Sequence, residues 1–176
     1  MPNILQRHNP LLRQKAVPVA LTDIKSARIQ SIITDMKAAM YSQKDGIAIA
    51  APQIGIPVCI FVISGSLLQK IDPTYKGPDH DLVFINPSLT RLSRDKKEME
   101  EGCLSVRWLY GLVKRSTRVN ISAYDQDGNI LKRGASGILA QIFQHEIDHL
   151  DGILFIDRTK EIWEMTEEEI SQIKKM

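Results

Sequence analysis

The chain has 176 residues, of which 43% are hydrophobic and 25% charged, ordinary values for a globular protein with one core. Lysine and arginine number 23 against 21 acidic residues, so the net charge is only +2 and no single-sign field indicates a nucleic-acid or membrane partner. The N-terminal stretch lacks the apolar core of a signal peptide, and no apolar run is long enough to span a bilayer. We therefore predict a cytoplasmic protein with a single domain, residues 1–176.

A first helix is predicted from Thr22 to Ser42, because apolar residues recur there at helical spacing and Asp45-Gly46 follows. Strands are predicted next, in three stretches rich in β-branched residues: PVCIFVIS, DLVFINPSL and TRVNISAYDQDGNILKR. Within the last stretch, Asp127-Gly128 is a strong hairpin signal.

A second, long helix is predicted to open at Ser136, a good N-cap, and to end before Gly152, with a wide apolar stripe between them. Near the C-terminus, Thr166 and Glu169 form a capping-box pattern, which predicts a short final helix. The fold class is therefore α+β: antiparallel β-sheets packed around a long helix, with an N-terminal helix and a short C-terminal helix.

The long helix contains the pattern His145-Glu146-x-x-His149. Because residues i and i+4 lie one above the other on a helix, both imidazoles can point at one metal ion. Glu146 is rotated by about 100° and is placed to reach a metal-bound water. The alternative is that these are ordinary surface or core histidines. The apolar helix favours the metal hypothesis, because both rings border a buried face and need partners there.

A third ligand would decide the class of site, and the common zinc protease patterns place a His or Glu downstream. No histidine follows His149, and the other two, His8 and His80, stand alone in polar loops. Cys103 is the best remaining candidate, since a Cys-His-His set with one open position is typical of a catalytic site.

The second cysteine, Cys59, lies in an apolar run and behaves as a small hydrophobe. A chain without an export signal favours two free thiols over a disulfide.

Three motifs together carry a resemblance to a known family: GIAIAAPQ at 46–53, EGCLS at 101–105 and QHEIDHLDG at 144–152. In this order and spacing they resemble the peptide deformylases, metal hydrolases that remove the formyl group from the N-terminal formyl-methionine of newly made polypeptides. The resemblance covers nearly the whole chain, and it implies N-formylmethionyl nascent peptides as partners. A transient ribosome contact would follow from that substrate, with the final helix as the candidate surface.

The resemblance also implies residue roles. The metal ligands would be Cys103, His145 and His149. Glu146 would be the acid/base, and the side-chain amide of Gln53 and the backbone N–H of Leu104 would face the formyl oxygen. One divalent metal ion is implied, Fe²⁺ first, with Zn²⁺, Ni²⁺ or Co²⁺ able to occupy the same site.

A methionine-sized pocket is expected beside the metal, with Gly46, Ile47, Ala48 and Ile142 as the candidate substrate-binding residues. Gly46 and the alanines of the same run would let a strand pass close to the metal. Ile138, on the same helical face as His145, is more readily interpreted as core.

Further from the metal, we favour a solvated strand edge for Arg115 and Arg118 over a role in guiding the peptide.

Two positions depart from the family pattern. Ala48 stands where the family usually has Gly, so an extra methyl would narrow the cleft, and Arg107 stands where Pro is common, which places a charge near the cleft rim. Both departures bear on substrate preference and rate.

Two other hypotheses stay open at this point: a metalloprotease using the same helix, and a catalytically inactive metal protein that binds nascent chains.

Overall fold

The computed structural model describes residues 3–72 and 81–175. Within these ranges there are four α-helices: α1 (Ala27–Tyr41), α2 (Gly65–Ile71), α3 (Gly137–Leu150) and α4 (Glu167–Lys175). The same ranges contain eight strands: β1 (Ala48–Ala50), β2 (Ile60–Ile63), β3 (Leu82–Leu92), β4 (Lys96–Cys103), β5 (Val106–Ser116), β6 (Arg118–Tyr124), β7 (Ile130–Ser136) and β8 (Ile162–Glu164). Of the two isolated histidines, His8 is exposed, and His80 lies outside the described residues.

The predicted N-terminal helix exists but begins later than expected. Helix α1 starts at Ala27 because Ser26 caps it, its hydroxyl accepting a hydrogen bond from the backbone N–H of Ile29 at 3.3 Å. The preceding residues Leu21–Asp23 form a separate 3-10 turn. Most of the apolar residues predicted at helical spacing are buried on one face of α1, at Ile32, Ile33, Met36, Ala39 and Met40, together with Ile29, whereas Leu21 precedes the helix and is exposed.

The strands form two antiparallel sheets, as expected. Five strands lie in the order β1-β2-β3-β6-β7, and three lie in the order β4-β5-β8. The Asp127-Gly128 hairpin is confirmed between β6 and β7. Its turn is stabilised by Asp125, whose Oδ1 accepts hydrogen bonds from the backbone N–H groups of Asp127 and Asn129.

All four residues of strand β2 are apolar and buried, because helices cover both faces of its sheet. Ile60 and Val62 pack in the cluster that contains the α1 side chains, whereas Phe61 and Ile63 pack in the cluster that contains Phe143 of α3. The Phe61 ring stacks on that of Phe84, and both contact Phe143. Alternate residues of one strand therefore serve two cores.

Helix α3 holds the centre of the structure, because it packs against strands of both sheets. It is preceded by Ser136, as predicted, although the Ser136 side chain makes no capping hydrogen bond. It ends where Gly152 adopts φ +74°. A Cβ at Gly152 would lie 2.6 Å from the backbone oxygen of Arg13, so both the left-handed backbone and the close approach require glycine here.

The C-terminal helix and its cap are also confirmed. The hydroxyl of Thr166 accepts a hydrogen bond from the N–H of Glu169, and the Glu169 carboxylate accepts from the N–H of Thr166, completing the capping box. Among all helices in the described ranges, none combines the length and the apolarity that crossing a membrane requires.

Replacing Gly152 by alanine should lower the free energy of unfolding by about 1–3 kcal/mol from backbone strain alone. Urea unfolding at a fixed metal load measures this. The matched control is Gly134→Ala in exposed β7, where the nearest atom to an added Cβ is 3.4 Å away and the change should stay below about 1 kcal/mol. Equal stabilities of the two variants would contradict the assigned role of Gly152.

Candidate active site

Cys103, His145 and His149 converge although 42 positions of sequence separate the cysteine from the first histidine. Their ligand atoms lie within 4.8 Å of one another, and the Cys103 Sγ atom is 3.1 Å from Nε2 of His149. The two imidazole rings come from successive turns of α3, with ring centroids 4.9 Å apart. The sequence hypothesis required these three side chains to meet, and the structure brings them together.

The thiol reaches the helix because Cys103 ends β4 at a tight hairpin. Only Leu104 and Ser105 separate it from Val106 at the start of β5, and the strand register shifts between Gly102 and Cys103. The backbone N–H of Ser105 donates to the sulfur at 3.4 Å. A hairpin tip thus presents the sulfur to the helix. Neither cysteine forms a disulfide, so both thiols are free, as expected.

His145 is oriented by a carboxylate behind it. Its Nδ1 lies 2.9 Å from Oε2 of Glu101, and because a carboxylate only accepts, Nδ1 carries the hydrogen and Nε2 is left for a ligand. Glu101 accepts two further hydrogen bonds from Arg115, at 2.7 and 2.9 Å. Arg115 in turn donates to Asp148 at 2.6 Å, and Arg158 donates to the same carboxylate.

This buried network corrects the interpretation of Arg115 as part of a solvated strand edge. Arg115 is only 4% exposed, because it shares the inward face of β5 with Val113 and meets carboxylates from β4 and α3. Arg118 is exposed at the start of β6, as expected.

Neighbouring charges in the network lower the pKa values of its acidic groups and raise that of His145. Burial alone would raise the pKa of Glu101, but hydrogen bonds from Arg115 and His145 lower it to about 2. Burial likewise opposes ionisation of Cys103, yet His149 and His145 lower the pKa of its thiol to about 5. Although burial disfavours its charged form, the pKa of His145 is raised well above the ordinary value by Cys103 and Glu101.

Glu146 lies beside the three candidate ligands, buried and in the wall of the adjoining cavity. Its Oε2 atom has no hydrogen-bond partner among the residues that the structure describes. Burial raises the pKa of this carboxyl to about 7, against the opposing effect of the two histidines. A buried carboxyl group with an unengaged oxygen can exchange a proton with a molecule in the cavity.

Gln53 closes the apolar run after β1, where residues Ala51–Ile54 form a 3-10 turn. Its Oε1 accepts from the N–H of Ala50 at 2.8 Å, which fixes the amide orientation, and its Nε2 donates to the Ser105 hydroxyl at 3.0 Å. The Leu104 carbonyl accepts a hydrogen bond from Gln6 at 3.1 Å. The side chain of Gln53 and the hairpin at Leu104 are therefore both held in place at the cavity wall.

The cavity has a volume of about 220 Å³. Three of the four candidate substrate residues line it: Ile47, Ala48 and Ile142. Gly46 is not among the described residues that line the cavity. It packs against the end of α1, where a Cβ would lie 2.1 Å from the Met40 backbone oxygen, so glycine is needed there for the close approach of the two backbones. Ile138 lines the cavity and is 44% exposed, so its interpretation as core is wrong.

The donor set fits a divalent metal ion. One thiolate and two imidazoles are ligands that zinc, ferrous iron, cobalt and nickel accept, and all three offer an atom to the same point. The anionic groups around His145 also favour positive charge there, which a coordinated cation would supply.

A family model described as polypeptide deformylase matches residues 1–164. The chain belongs to the peptide deformylase family. A peptide deformylase from Psychrobacter arcticus is 40% identical over 154 residues, 88% of this chain and 77% of that relative. The Thermotoga maritima peptide deformylase structure matches with a TM-score of 0.78 at 31% identity, covering 92% of this chain and 99% of that one. An Acinetobacter baumannii peptide deformylase structure with Met-Ala-Ser bound matches with a TM-score of 0.75 at 29% identity, covering 88% of this chain and 96% of that one.

Peptide deformylases are metal-dependent hydrolases, and this chain is an enzyme that removes the N-formyl group from newly made polypeptides. Sequence reasoning missed the outer network of this deformylase, in which Glu101, Arg115 and Asp148 support His145. One signal was present for Arg115, since strand alternation places it on the same face as Val113.

Replacing Arg115 by methionine should lower the free energy of unfolding by about 3–5 kcal/mol, because two carboxylates would lose a buried partner. Chemical unfolding with the same metal load measures it. The control is Arg118→Met, exposed on β6, for which the change should remain within about 0.5 kcal/mol. A small effect of Arg115→Met would show that Arg158 and His145 alone satisfy the network.

Proposed function

We propose that Cys103, His145 and His149 hold the metal of the deformylation reaction, and that Glu146 is its acid/base. One observation carries the proposal: a hairpin-tip sulfur and two imidazoles of α3 converge, and Cys103, His145 and the buried Glu146 line one cavity. On this proposal α3 is the metal-binding helix of the fold, and residues 1–176 act as a single catalytic domain.

The bound metal would be Fe²⁺ in the native enzyme, with Zn²⁺, Ni²⁺ or Co²⁺ able to replace it, as the mixed sulfur and nitrogen donors allow. When bound, such an ion supplies Lewis acidity and lowers the pKa of coordinated water. Cys103 would add negative charge to the centre. That charge weakens the acidity of the ion relative to three neutral ligands, so a protein base is needed to share the proton transfer.

Glu146 is positioned for that work. In the proposed reaction it accepts a proton from the attacking water, and the oxygen adds to the formyl carbon. The Gln53 amide and the Leu104 backbone N–H would donate hydrogen bonds to the oxygen that becomes negative, where one donor of this kind is typically worth about 2.7–4 kcal/mol. Glu146 then donates the proton to the leaving nitrogen as the C–N bond breaks, releasing formate and a free α-amine.

The substrate is proposed to be a peptide beginning with formyl-methionine, its side chain lying against Ile47, Ala48 and Ile142. These apolar residues line the cavity next to Glu146. The Acinetobacter baumannii relative described with Met-Ala-Ser holds a peptide of the kind that deformylation produces. Gly46 would act indirectly, by allowing the chain to turn tightly from α1 into the wall formed by Ile47 and Ala48.

Nascent peptides emerge at the ribosome, so we propose a transient ribosome contact and a cytoplasmic location, with no membrane partner and no sequence-specific nucleic-acid binding. The candidate contact is α4, whose first turn is acidic and whose last described residue is Lys175.

Glu146→Gln should reduce formate release from formyl-Met-Ala-Ser by about 10²–10⁴-fold, the usual contribution of a general acid/base. The protein would be prepared anaerobically with Fe²⁺ or with Ni²⁺, and metal content measured in parallel should be unchanged. Exposed Glu98 on β4 offers the control, because Glu98→Gln should keep full turnover.

Other outcomes of the same assay point elsewhere. Full metal content without formate release would favour a protein that only binds nascent chains. Cleavage of unformylated peptides, retained when Cys103 is replaced by alanine, would favour a metalloprotease.

Glu101→Gln should weaken metal binding by about 10–100-fold, because an amide is a poorer acceptor for the Nδ1–H of His145. Competition with a chromogenic chelator for Zn²⁺ measures the affinity without reference to turnover. Glu98→Gln again serves as the control and should leave the affinity unchanged. Unaltered affinity of the Glu101 variant would remove Glu101 from the proposed metal centre.

A further inference from the structure

Arg107 and Asp45 form an ion pair across the cavity. Arg107 belongs to β5, whereas Asp45 belongs to the loop between α1 and β1, and both line the cavity. The Arg107 guanidinium donates to Asp45 Oδ2 at 2.6 Å and, through its other terminal nitrogen, to the side-chain oxygen of Gln43 at 2.6 Å. We call this contact the Asp45–Arg107 bridge.

Each end of the Asp45–Arg107 bridge is held firmly. The guanidinium lies 5.1 Å from the ring centre of Trp108, a cation–π contact, and Trp108 itself adopts φ +65°, rare for a residue with a side chain. On the other side, Gly46 follows Asp45 and packs tightly against the backbone of Met40. These contacts restrain both ends of the bridge.

The bridge is also costly to lose. The second oxygen of Asp45, Oδ1, is buried and has no hydrogen-bond partner among the described residues, so within them the carboxylate is held through Oδ2 by Arg107. The ion pair is half-buried, with side-chain exposures of 19% and 25%, and is therefore less screened than a surface pair. Removal of Arg107 would leave a partly desolvated charge that attracts water into the cavity.

We propose that the Asp45–Arg107 bridge sets the width of the peptide-binding cleft and is a specificity-determining contact for the residues after formyl-methionine. The inference rests on the proposed function, because it takes this cavity as the substrate cleft. The bridge connects the wall that carries Ile47 and Ala48 to the hairpin that carries Cys103, so its length fixes the gap between them. Both residues act by positioning and take no part in the proton transfers.

A double-mutant cycle tests the proposal. Arg107→Ala and Asp45→Ala should each raise KM for formyl-Met-Ala-Ser about tenfold with kcat changed less than about threefold, and the double variant should be no worse than either single one, as for directly coupled contacts. Arg107→Lys should give an intermediate KM, because one ammonium cannot reproduce the two-nitrogen fork. The control is Lys15→Ala, which breaks the exposed Lys15–Asp151 pair and should leave KM unchanged.

Selectivity provides the second measurement. The preference for formyl-Met-Ala-Ser over formyl-Met-Trp-Ser, as a ratio of kcat/KM, should fall in the bridge variants if the cleft widens. Unchanged KM and selectivity, or independent effects that multiply in the double variant, would overturn the proposal even if thermal stability falls.

The Kd for the product peptide Met-Ala-Ser, measured by titration on the same metal-loaded variants, separates this inference from the proposed function. Turnover absent in the wild type would overturn the proposed function alone. The Asp45–Arg107 bridge would still be supported by a coupled rise in Kd, and refuted by a constant Kd.

Discussion

A charge buried almost completely needs partners that reach it from every side, and Arg115 has them from β4 and α3. Glu101 takes two of its hydrogen bonds and Asp148 a third, so one guanidinium joins the sheet to the helix that carries both histidines. The stability of such a pair comes less from its attraction than from the cost of separating it once water is excluded. Cys103 follows Glu101 by two residues, and His145 precedes Asp148 by three. The network therefore holds both sides of the proposed metal centre at a fixed distance.

Helix α3 serves the core and the site at once. Its apolar face, with Phe143 and Leu139, packs into the cluster beneath the five-stranded sheet. A neighbouring face presents His145 to the cavity, and Glu146, three residues after Phe143, lines the same cavity. This hydrophobic packing keeps the charged groups of the helix in defined geometry, because a helix that cannot rotate cannot let them relax toward water.

Local patterns predicted much of this structure from the sequence. Three features depend on only a few neighbouring residues and are therefore predictable: the His145–His149 spacing, the Asp127-Gly128 turn and the capping box at Thr166. Arg115 and Asp148 could not be paired in this way, because 33 positions separate them and only the packing of β5 on α3 brings them together. Gly46 was assigned to the substrate for its small size, whereas its nearest constraint is the backbone of α1.

The two departures from the family pattern meet in one place. Ala48 adds a methyl to one wall of the cavity, and Arg107 reaches across from the other wall to a carboxylate three residues before Ala48. A proline at position 107 could offer no such bridge, since it has neither a charge nor a donor. Because the proposed Asp45–Arg107 bridge joins the two walls, opening the cleft to accommodate the methyl would cost the ion pair. The shape of the cleft is thus determined jointly by these two positions, while the groups proposed for the chemistry remain those that the three motifs indicated.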